Sequence, residues 1–422
     1  MLSGTSVDAI DVAAADLTWS DDGGAEAGEL LLHTLGHREV PWPDGLRERL
    51  LAVLAPAPSG AMEVCGLNAR VGRALGEVAR TAVAELAGGR ADLVVSHGQT
   101  VAHQVEGGRC LGTLQLGGPS WIAEATGLPV LSDLRSRDIA AGGHGAPLAS
   151  AFDALWLSGA GSVAARAEPG GTGEDAGGCS AALNLGGIAN VTVVHRGTHG
   201  EPPAVSAWDT GPANCLLDLA AARVSEGRLS CDLDGRLAAS GRVHAPLLEQ
   251  LLREPYYALD QPKSTGRELF DAAHLDRALA AVGDPVTGPD LLATLVELTA
   301  STVARALAPF GVDGVVVSGG GTRNPVLLQA LRQRLGVPVR TSDQLGVASE
   351  AKEAYVFALI GFLAFHQLPC VPRRAGGPPG ASATGARSRR PLGNITPGDA
   401  PLVLPAPGQE PVRMRVVAGS AR

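Results

Sequence analysis

Met1-Leu2-Ser3-Gly4-Thr5-Ser6-Val7-Asp8-Ala9-Ile10-Asp11-Val12 opens the chain. Two apolar residues run into a turn of small and hydroxylated ones, and a second apolar stretch, Ile10 to Ala15, follows. N–H groups gathered in such a turn form a concavity for anions such as phosphate. A turn with that duty belongs at the end of a core strand, although only Met1 and Leu2 precede it here.

The theme recurs twice. Ala181 to Val194 reads as strand, glycine turn, strand, with Gly186-Gly187 at the tip. Val315-Val316-Val317-Ser318 then runs into Gly319-Gly320-Gly321 and through Asn324-Pro325 into a helix from Val326 to Leu335. Proline suits a helix start, where its missing N–H would be unpaired anyway. The three glycines let backbone approach a ligand closely. Any one of these turns alone is an ordinary hairpin, because glycine is the default turn residue. The three in this order point to a nucleotide-binding cleft with phosphates held from two sides. The cleft is not a P-loop, since no GxxxxGK[ST] occurs.

Around these turns, strand-like and helix-like segments alternate, which argues an α/β fold. Val64, Leu67, Val71, Leu75, Val78, Ala82 and Leu86 recur at helical spacing before Gly88-Gly89. Leu93-Val94-Val95 and Pro129-Val130-Leu131 read as short buried strands, and Ala351 to Phe365 as a buried helix. Gly159 to Gly178 reads as a surface insertion, Pro372 to Pro391 as irregular chain, and Val412 to Val417 as a last extended segment.

At 422 residues, 45% of them hydrophobic, the chain is long enough for two domains. A formal charge of −9 argues against a nucleic-acid surface, and no basic run precedes Arg387 to Arg390. The six cysteines include no CxxC pair, which suits reduced cytoplasmic thiols. No signal peptide is legible, and Ala354 to Phe365 is too short to span a bilayer.

Taken together, the segments closely resemble the anhydro-N-acetylmuramic acid kinase family, within the actin/Hsp70/hexokinase-like ATPases. They are Ser3 to Asp8, Ser96 to His103, Asp133 to Ala140, Gly142 to Leu148, Asn184 to Asn190, Asp209-Thr210-Gly211-Pro212-Ala213-Asn214, Pro262 to Glu268, Gly319 to Gly321 with Asn324, and Glu353-Ala354. Thr384-Gly385-Ala386 and Leu392 to Ile395 also fit, so the resemblance spans almost all of residues 1–397.

The resemblance implies a two-domain α/β ATPase fold with an interdomain active-site cleft. It implies residues 1–133 plus a helix at 350–368 as the first domain, 134–349 as the second and 371–422 as a Gly/Pro-rich tail. The implied reaction uses ATP with Mg²⁺ and water: the anhydro ring of 1,6-anhydro-N-acetylmuramic acid opens while O6 is phosphorylated, in cytoplasmic peptidoglycan recycling. A homodimer is implied as well. Asp209 matches the position of the catalytic base. Gly4, Thr5, Ser6, Val7, Asp8, Ala9, Ile10, Asp11, Gly186, Gly187, Gly319, Gly320, Gly321 and Asn324 match ATP-binding positions. His97, Gln99, Thr100, Arg135, Asp138 and Glu353 are expected to line the sugar site.

Each of these residues also has a plainer reading. Asp209 suits a capped turn, Glu353 suits a helix start by the dipole alone, and Lys263 suits a solvated loop. Arg135, Arg137 and Asp138 read by themselves as a surface ion-pair run. The substrate's lactyl carboxylate, however, calls for an arginine fork, and the sequence does not choose the arginine.

A kinase for another amino sugar, working without the hydrolytic step, is the neighbouring reading. A chaperone-like or actin-like assembly ATPase is the more distant one, for which no peptide-binding domain is legible.

The chain departs from the family pattern at Ala9, where glycine is usual, at His144 for glutamine and at Glu350 for aspartate. A Cβ at Ala9 is costly only if φ is positive there. The short start is the larger departure, and its simplest reading is an N-terminal strand truncated in this sequence.

Overall fold

The computed structural model describes residues 1–4, 7–20, 28–54, 59–107, 109–159, 178–197, 201–261, 263–266 and 268–418. Thr5, Ser6, Pro262, Arg267 and nearly all of the 159–178 segment lie outside the described residues.

In chain order the first stretch forms β1 (Ala9–Trp19), β2 (Glu29–Pro41), α1 (Leu46–Leu54), α2 (Ala61–Glu85), β3 (Val94–Val95), β4 (Gln99–Glu106), β5 (Arg109–Leu116), α3 (Pro119–Thr126), β6 (Val130–Ser132), α4 (Ser136–Ala140) and α5 (Ser150–Gly159). The middle forms β7 (Cys179–Leu185), β8 (Ile188–His195), β9 (Ala204–Pro212), α6 (Asn214–Val224), α7 (Arg236–Ser240), α8 (Ala245–Leu251), α9 (Ala272–Val282), α10 (Gly288–Leu307), β10 (Val315–Ser318), α11 (Pro325–Leu335) and β11 (Val339–Thr341). The last stretch forms α12 (Lys352–Phe365), β12 (Arg373–Arg374), β13 (Asn394–Thr396) and β14 (Arg413–Ala418). The apolar periodicity of 64–86 thus becomes α2, and the 181–194 hairpin keeps both its strands.

Contacts divide the chain into two compact units, one of residues 1–159, 199–204 and 351–422, the other of 160–198 and 205–350. The sequence places a boundary near 133, whereas α4 and α5 belong to the first unit. The reason is α5, which packs on β14 and α12. Its Asp153 forms an ion pair with Lys352 at 2.6 Å, and both side chains are buried. Residues 371–422 are not a loose tail either. β13 pairs antiparallel with β6, and β14 runs parallel to β2 from Glu29 to Thr34.

In the first unit, β1 and β2 form a long antiparallel pair extended by β14, β3 runs parallel to β6, and β4 with β5 makes a separate hairpin. Met1 to Ser3 stitch these together. Leu2 exchanges two backbone hydrogen bonds with Asp11, and the His97 N–H donates to the Met1 carbonyl. The Met1 ammonium donates to the Val95 carbonyl at 2.8 Å, and burial pulls its pKa down to about 5. The opening stub therefore occupies a strand position. Val7, Ile10, Val12, Leu67, Val71 and Leu75 share its core.

The second unit is built on the strand order β11-β10-β7-β8-β9. β10 is parallel to β7 and β11, and β7 is antiparallel to β8. The core helix is α10. Together with the turn after it, Gly288–Phe310 is, among the described residues, a stretch long and apolar enough to cross a membrane, and most of its apolar window is buried inside the protein. It is thus a longer apolar helix than Ala354–Phe365.

Removing one partner of a buried ion pair strands the other charge. Lys352→Met is expected to cost about 3–5 kcal/mol of stability in denaturant unfolding. Lys352→Met with Asp153→Leu should recover most of that loss; a double variant no more stable than the single would refute this account of the pair.

Candidate functional site

In the first unit the opening turn is strained at Val7, not at Ala9. Val7 has φ +55° and is fully buried, while Ala9 begins β1 with ordinary backbone. A β-branched residue with positive φ is a genuine outlier, and such strain persists only where surrounding bonds enforce it. Those bonds are visible. The Val7 N–H donates to the Gly4 carbonyl at 3.1 Å, and Arg47 Nε donates to the Val7 carbonyl at 2.9 Å. Arg47 Nη2 reaches Asp8 Oδ1 at 3.1 Å, and Gln99 Nε2 donates to the Gly4 carbonyl at 3.2 Å. Arg47 has no legible signal in the sequence, since it sits 39 residues from Asp8 in an unremarkable helix.

The residues expected at the sugar split into two kinds. Gln99 is fully buried and its amide N–H groups serve the Gly4 and Thr100 carbonyls. His97 is buried, with its ring stacked on Phe357 at 4.7 Å. Its Nδ1 faces the Gly98 carbonyl at 3.2 Å, and its Nε2 accepts from Arg135 Nε at 2.8 Å. Desolvation, aided by the Arg135 charge, lowers the His97 pKa to about 3, so the ring is a neutral acceptor. Asp138 is buried as well. Its Oδ2 accepts from the Gly145 N–H at 2.8 Å and its Oδ1 from Thr384 Oγ1 at 2.6 Å. The polar atoms of His97 and Asp138 are met by protein groups, whereas Gln99 Oε1 is buried without a hydrogen-bond partner among the described residues.

Arg135 is half-buried; besides His97 it donates through Nη1 to the Gly145 carbonyl at 2.7 Å. Among the described residues its Nη2 has no hydrogen-bond acceptor. Thr100 is half-buried and takes a hydrogen bond from Gln115. Glu353 lies in the first turn of α12 and is reached by solvent. Protein crowding round its carboxyl raises its pKa, against the pull of Arg135 and Lys352. Asp11 is lifted to about 6, first by desolvation, then by the charges of Glu39 and Glu353, with Asp8 adding to the effect. A cavity of about 710 Å³ opens where β3 and β6 end; Ser96, His97, Asp133 and Ser136 are among its lining residues and Arg135 is not.

In the second unit Asp209 lies in the last turn-ward stretch of β9, not in a capped turn. Its N–H donates to the Lys263 carbonyl at 3.2 Å and its Oδ2 accepts from the Thr265 N–H at 3.0 Å. Tyr256 Oη donates to the Asp209 carbonyl at 2.8 Å. Lys263 is not a free cation: its Nζ donates to the Tyr256 and Tyr257 carbonyls at 3.0 Å each. Lys263 and Thr265 thus lie against Asp209. Burial, with the Glu268 charge as a lesser cause, raises the Asp209 pKa to about 6 against the Thr265 hydrogen bond.

The Gly186-Gly187 turn receives the start of α6. The Gly186 carbonyl accepts from the Asn214 N–H and the Gly187 carbonyl from Ala213 and Cys215, all at 3.0 Å. In a trans peptide the N–H opposes the carbonyl, so the Gly187 N–H points away from α6. Gly319 has φ +86°, and a Cβ there would lie 2.5 Å from Asn184 Oδ1; one at Gly321 would lie 2.6 Å from Leu185 Cβ. At Gly320 a Cβ would meet nothing nearer than 3.9 Å. Asn324 Oδ1 accepts from the Val326 and Leu327 N–H groups at 3.1 Å each, so this oxygen caps α11.

Moving a phosphoryl group to a sugar calls for backbone donors at glycine turns and a carboxylate that can take a proton near neutral pH. The chain therefore falls among the phosphotransferases. The family model described as anhydro-N-acetylmuramic acid kinase matches residues 1–398. Relatives that carry that name include three from Streptomyces and Rhodococcus species. Those of Streptomyces avermitilis and Streptomyces coelicolor are both 51% identical, covering 98% and 99% of this chain and 98% of each relative. That of Rhodococcus erythropolis is 46% identical over 99% of this chain and 98% of its own length. The chain belongs to the anhydro-N-acetylmuramic acid kinase family, and it is an ATP-using enzyme.

The glycine geometry gives a graded expectation. Gly319→Ala and Gly321→Ala should each lower the melting temperature, because backbone or β7 must shift. Gly320→Ala should melt with the wild type, which leaves any rise in its KM for ATP as a report on nucleotide contact. Equal melting temperatures for all three would refute the packing argument.

Proposed function

We propose that Asp209 is the base of a coupled hydrolysis and phosphoryl transfer on 1,6-anhydro-N-acetylmuramic acid. Family membership makes the chain a kinase of that sugar in peptidoglycan recycling; the roles of individual residues are the reading offered here. In it, Asp209 removes a proton from water as the water attacks the anomeric carbon. The C1–O6 bond breaks, and O6 takes the γ-phosphoryl group of ATP, giving N-acetylmuramate 6-phosphate and ADP. A positioned carboxylate contributes roughly 10²–10⁴-fold to such a step. The observation that carries the reading is the Asp209 carboxylate itself: held by the Thr265 backbone N–H and lifted to about 6 by burial. The Thr265 N–H fixes Oδ2, and Oδ1 takes no hydrogen bond from the described residues.

Arg135 and Glu353 are the sugar-facing groups in this reading, Arg135 because Nη2 is still available for a carboxylate. Taken unit by unit, Gly4 and Val7 to Asp11 of the first, and Gly186, Gly187 and Gly319 to Gly321 of the second, are in this reading nucleotide-contacting backbone. Among the described residues no three His, Cys, Asp or Glu side chains converge on a metal position. In this reading a magnesium ion arrives on the nucleotide and needs only one or two protein carboxylates. Asp11, crowded by Glu39, Glu353 and Asp8, has the charge to meet it. When bound, the ion neutralises phosphate charge. A homodimer working in the cytoplasm, where ATP is available, completes the reading.

Asp209→Asn should lose turnover by at least about 10²-fold while retaining ATP binding. In ¹⁸O-water the wild type should give a product heavier than the substrate by one phosphoryl group and one labelled water. Near-wild-type turnover of the variant overturns the assignment. Activity should fall as pH drops through about 6, where Asp209 gains its proton. The sign for stability is opposite. A carboxyl raised from 3.8 to about 6 binds its proton more tightly when folded, so its favourable contribution is present below 3.8 and lost as pH rises through 6. Asp209→Asn should therefore melt higher than wild type at pH 7.5, and the gain should vanish towards pH 4.

A further inference from the structure

Two bonds fix the direction of the Arg135 guanidinium, and each rests on something behind it. On one side Nε donates to His97 Nε2 at 2.8 Å. The His97 ring is itself set by the Gly98 carbonyl and by its stack on Phe357. On the other side Nη1 donates to the Gly145 carbonyl at 2.7 Å. Gly145 has φ +68°, and a Cβ there would lie 3.2 Å from Arg135 Cβ, so this backbone passes close beneath the arginine. The Gly145 N–H is tied to Asp138 Oδ2 at 2.8 Å. Asp138 Oδ1 accepts a hydrogen bond from the Thr384 hydroxyl at 2.6 Å, and Thr384 Oγ1 lies 2.7 Å from Ser382 Oγ. Asp138, Thr384 and Ser382 are 4%, 3% and 0% exposed, so solvent cannot substitute for any of them.

We propose that Arg135 is aimed by a two-sided brace, with His97 on one side and a relay from Thr384 through Asp138 to Gly145 on the other. Asp138 and Thr384 are then positioning residues, set 246 positions apart in sequence, and Asp138 is not a sugar ligand. The brace consumes Nε and one side of the fork, so the guanidinium presents its remaining edge in one orientation. A planar donor pair held in this way selects a carboxylate over a neutral group, since its value depends on geometry as well as charge. The lactyl ether of the substrate carries the carboxylate that such an edge would read. The inference rests on the reading that Arg135 meets the sugar, and the test separates the two.

The test compares KM for the sugar, KM for ATP and kcat, and also the preference for 1,6-anhydro-N-acetylmuramic acid over 1,6-anhydro-N-acetylglucosamine, which lacks the lactyl group. Arg135→Ala is measured first; unchanged sugar KM and unchanged preference there overturn the underlying reading and the brace together. If Arg135→Ala raises sugar KM and erases the preference, Thr384→Val is decisive. The brace predicts a sugar KM about tenfold higher, the scale of one hydrogen bond to a charged group. It also predicts an equal fall in preference, unchanged KM for ATP, and recovery in Thr384→Ser. A Thr384→Val enzyme that loses kcat or melting temperature but keeps sugar KM and preference overturns the brace and leaves the Arg135 reading standing. His97→Phe keeps a ring on Phe357 while removing the acceptor, and it must show the same selective rise. It carries the test if Thr384→Val is recovered in poor yield, and its failure to raise sugar KM overturns the brace equally.

Discussion

Gly361 has no side chain, and α12 lies against β3 on that account: a Cβ at this position would come within 2.1 Å of Val95 Cγ2. Four residues back along the helix, Phe357 stacks on His97, and four further back stands Glu353. Residues four apart share a helix face, so one stripe carries the packing contact, the ring platform and the acidic group. The adjoining Lys352 turns into the core to Asp153 and locks the start of the helix. Everything proposed for the sugar depends on this seating. His97 can hold Arg135 only while Phe357 supports its ring, and Glu353 stands near both Asp11 and Arg135 only while the helix lies close to β3.

Two carboxylates, Asp138 and Asp209, show how burial alone does not define a role. Both are desolvated, and both have raised pKa values. Asp138 has each oxygen satisfied by a neighbour, which fixes it in place as a strut. Among the described residues, Asp209 has one oxygen so engaged. Buried polar groups are costly unless paired, and an incompletely paired one marks a place where a ligand or water is expected.

The strands, the glycine turns and the helices at 61–85, 325–335 and 352–365 were legible because each follows from local pattern. Apolar spacing gives the element, and Gly, Pro and Asn give its ends. The site was legible as a set of segments, not as a set of contacts. Nothing in Ser96-His97-Gly98-Gln99 tells whether a side chain points to a ligand or into the protein, because its partners are Gly4, Phe357 and Arg135. Asp138 needs Thr384, and Asp8 needs Arg47. The boundary near 133 misleads for the same reason, since α5 is recruited by Lys352 and β14. Val7 departs most from local preference, since its conformation is one that its own residue type disfavours and distant bonds impose.

The first unit is assembled from the two ends of the chain, and that has a consequence for how the molecule is made on the ribosome. The second unit draws its sheet from 179–341, so its parts emerge in one continuous run. The first unit must wait. Its β2 edge from Glu29 to Thr34 is completed by Arg413 to Ala418, Asp153 by Lys352, and Asp138 by Thr384. Domains generally fold as units during synthesis, amino-terminal parts first. Here the β2 edge, Asp153 and Asp138 find their partners only in residues that lie C-terminal to the second unit, so completing the first unit requires segments synthesised after the second.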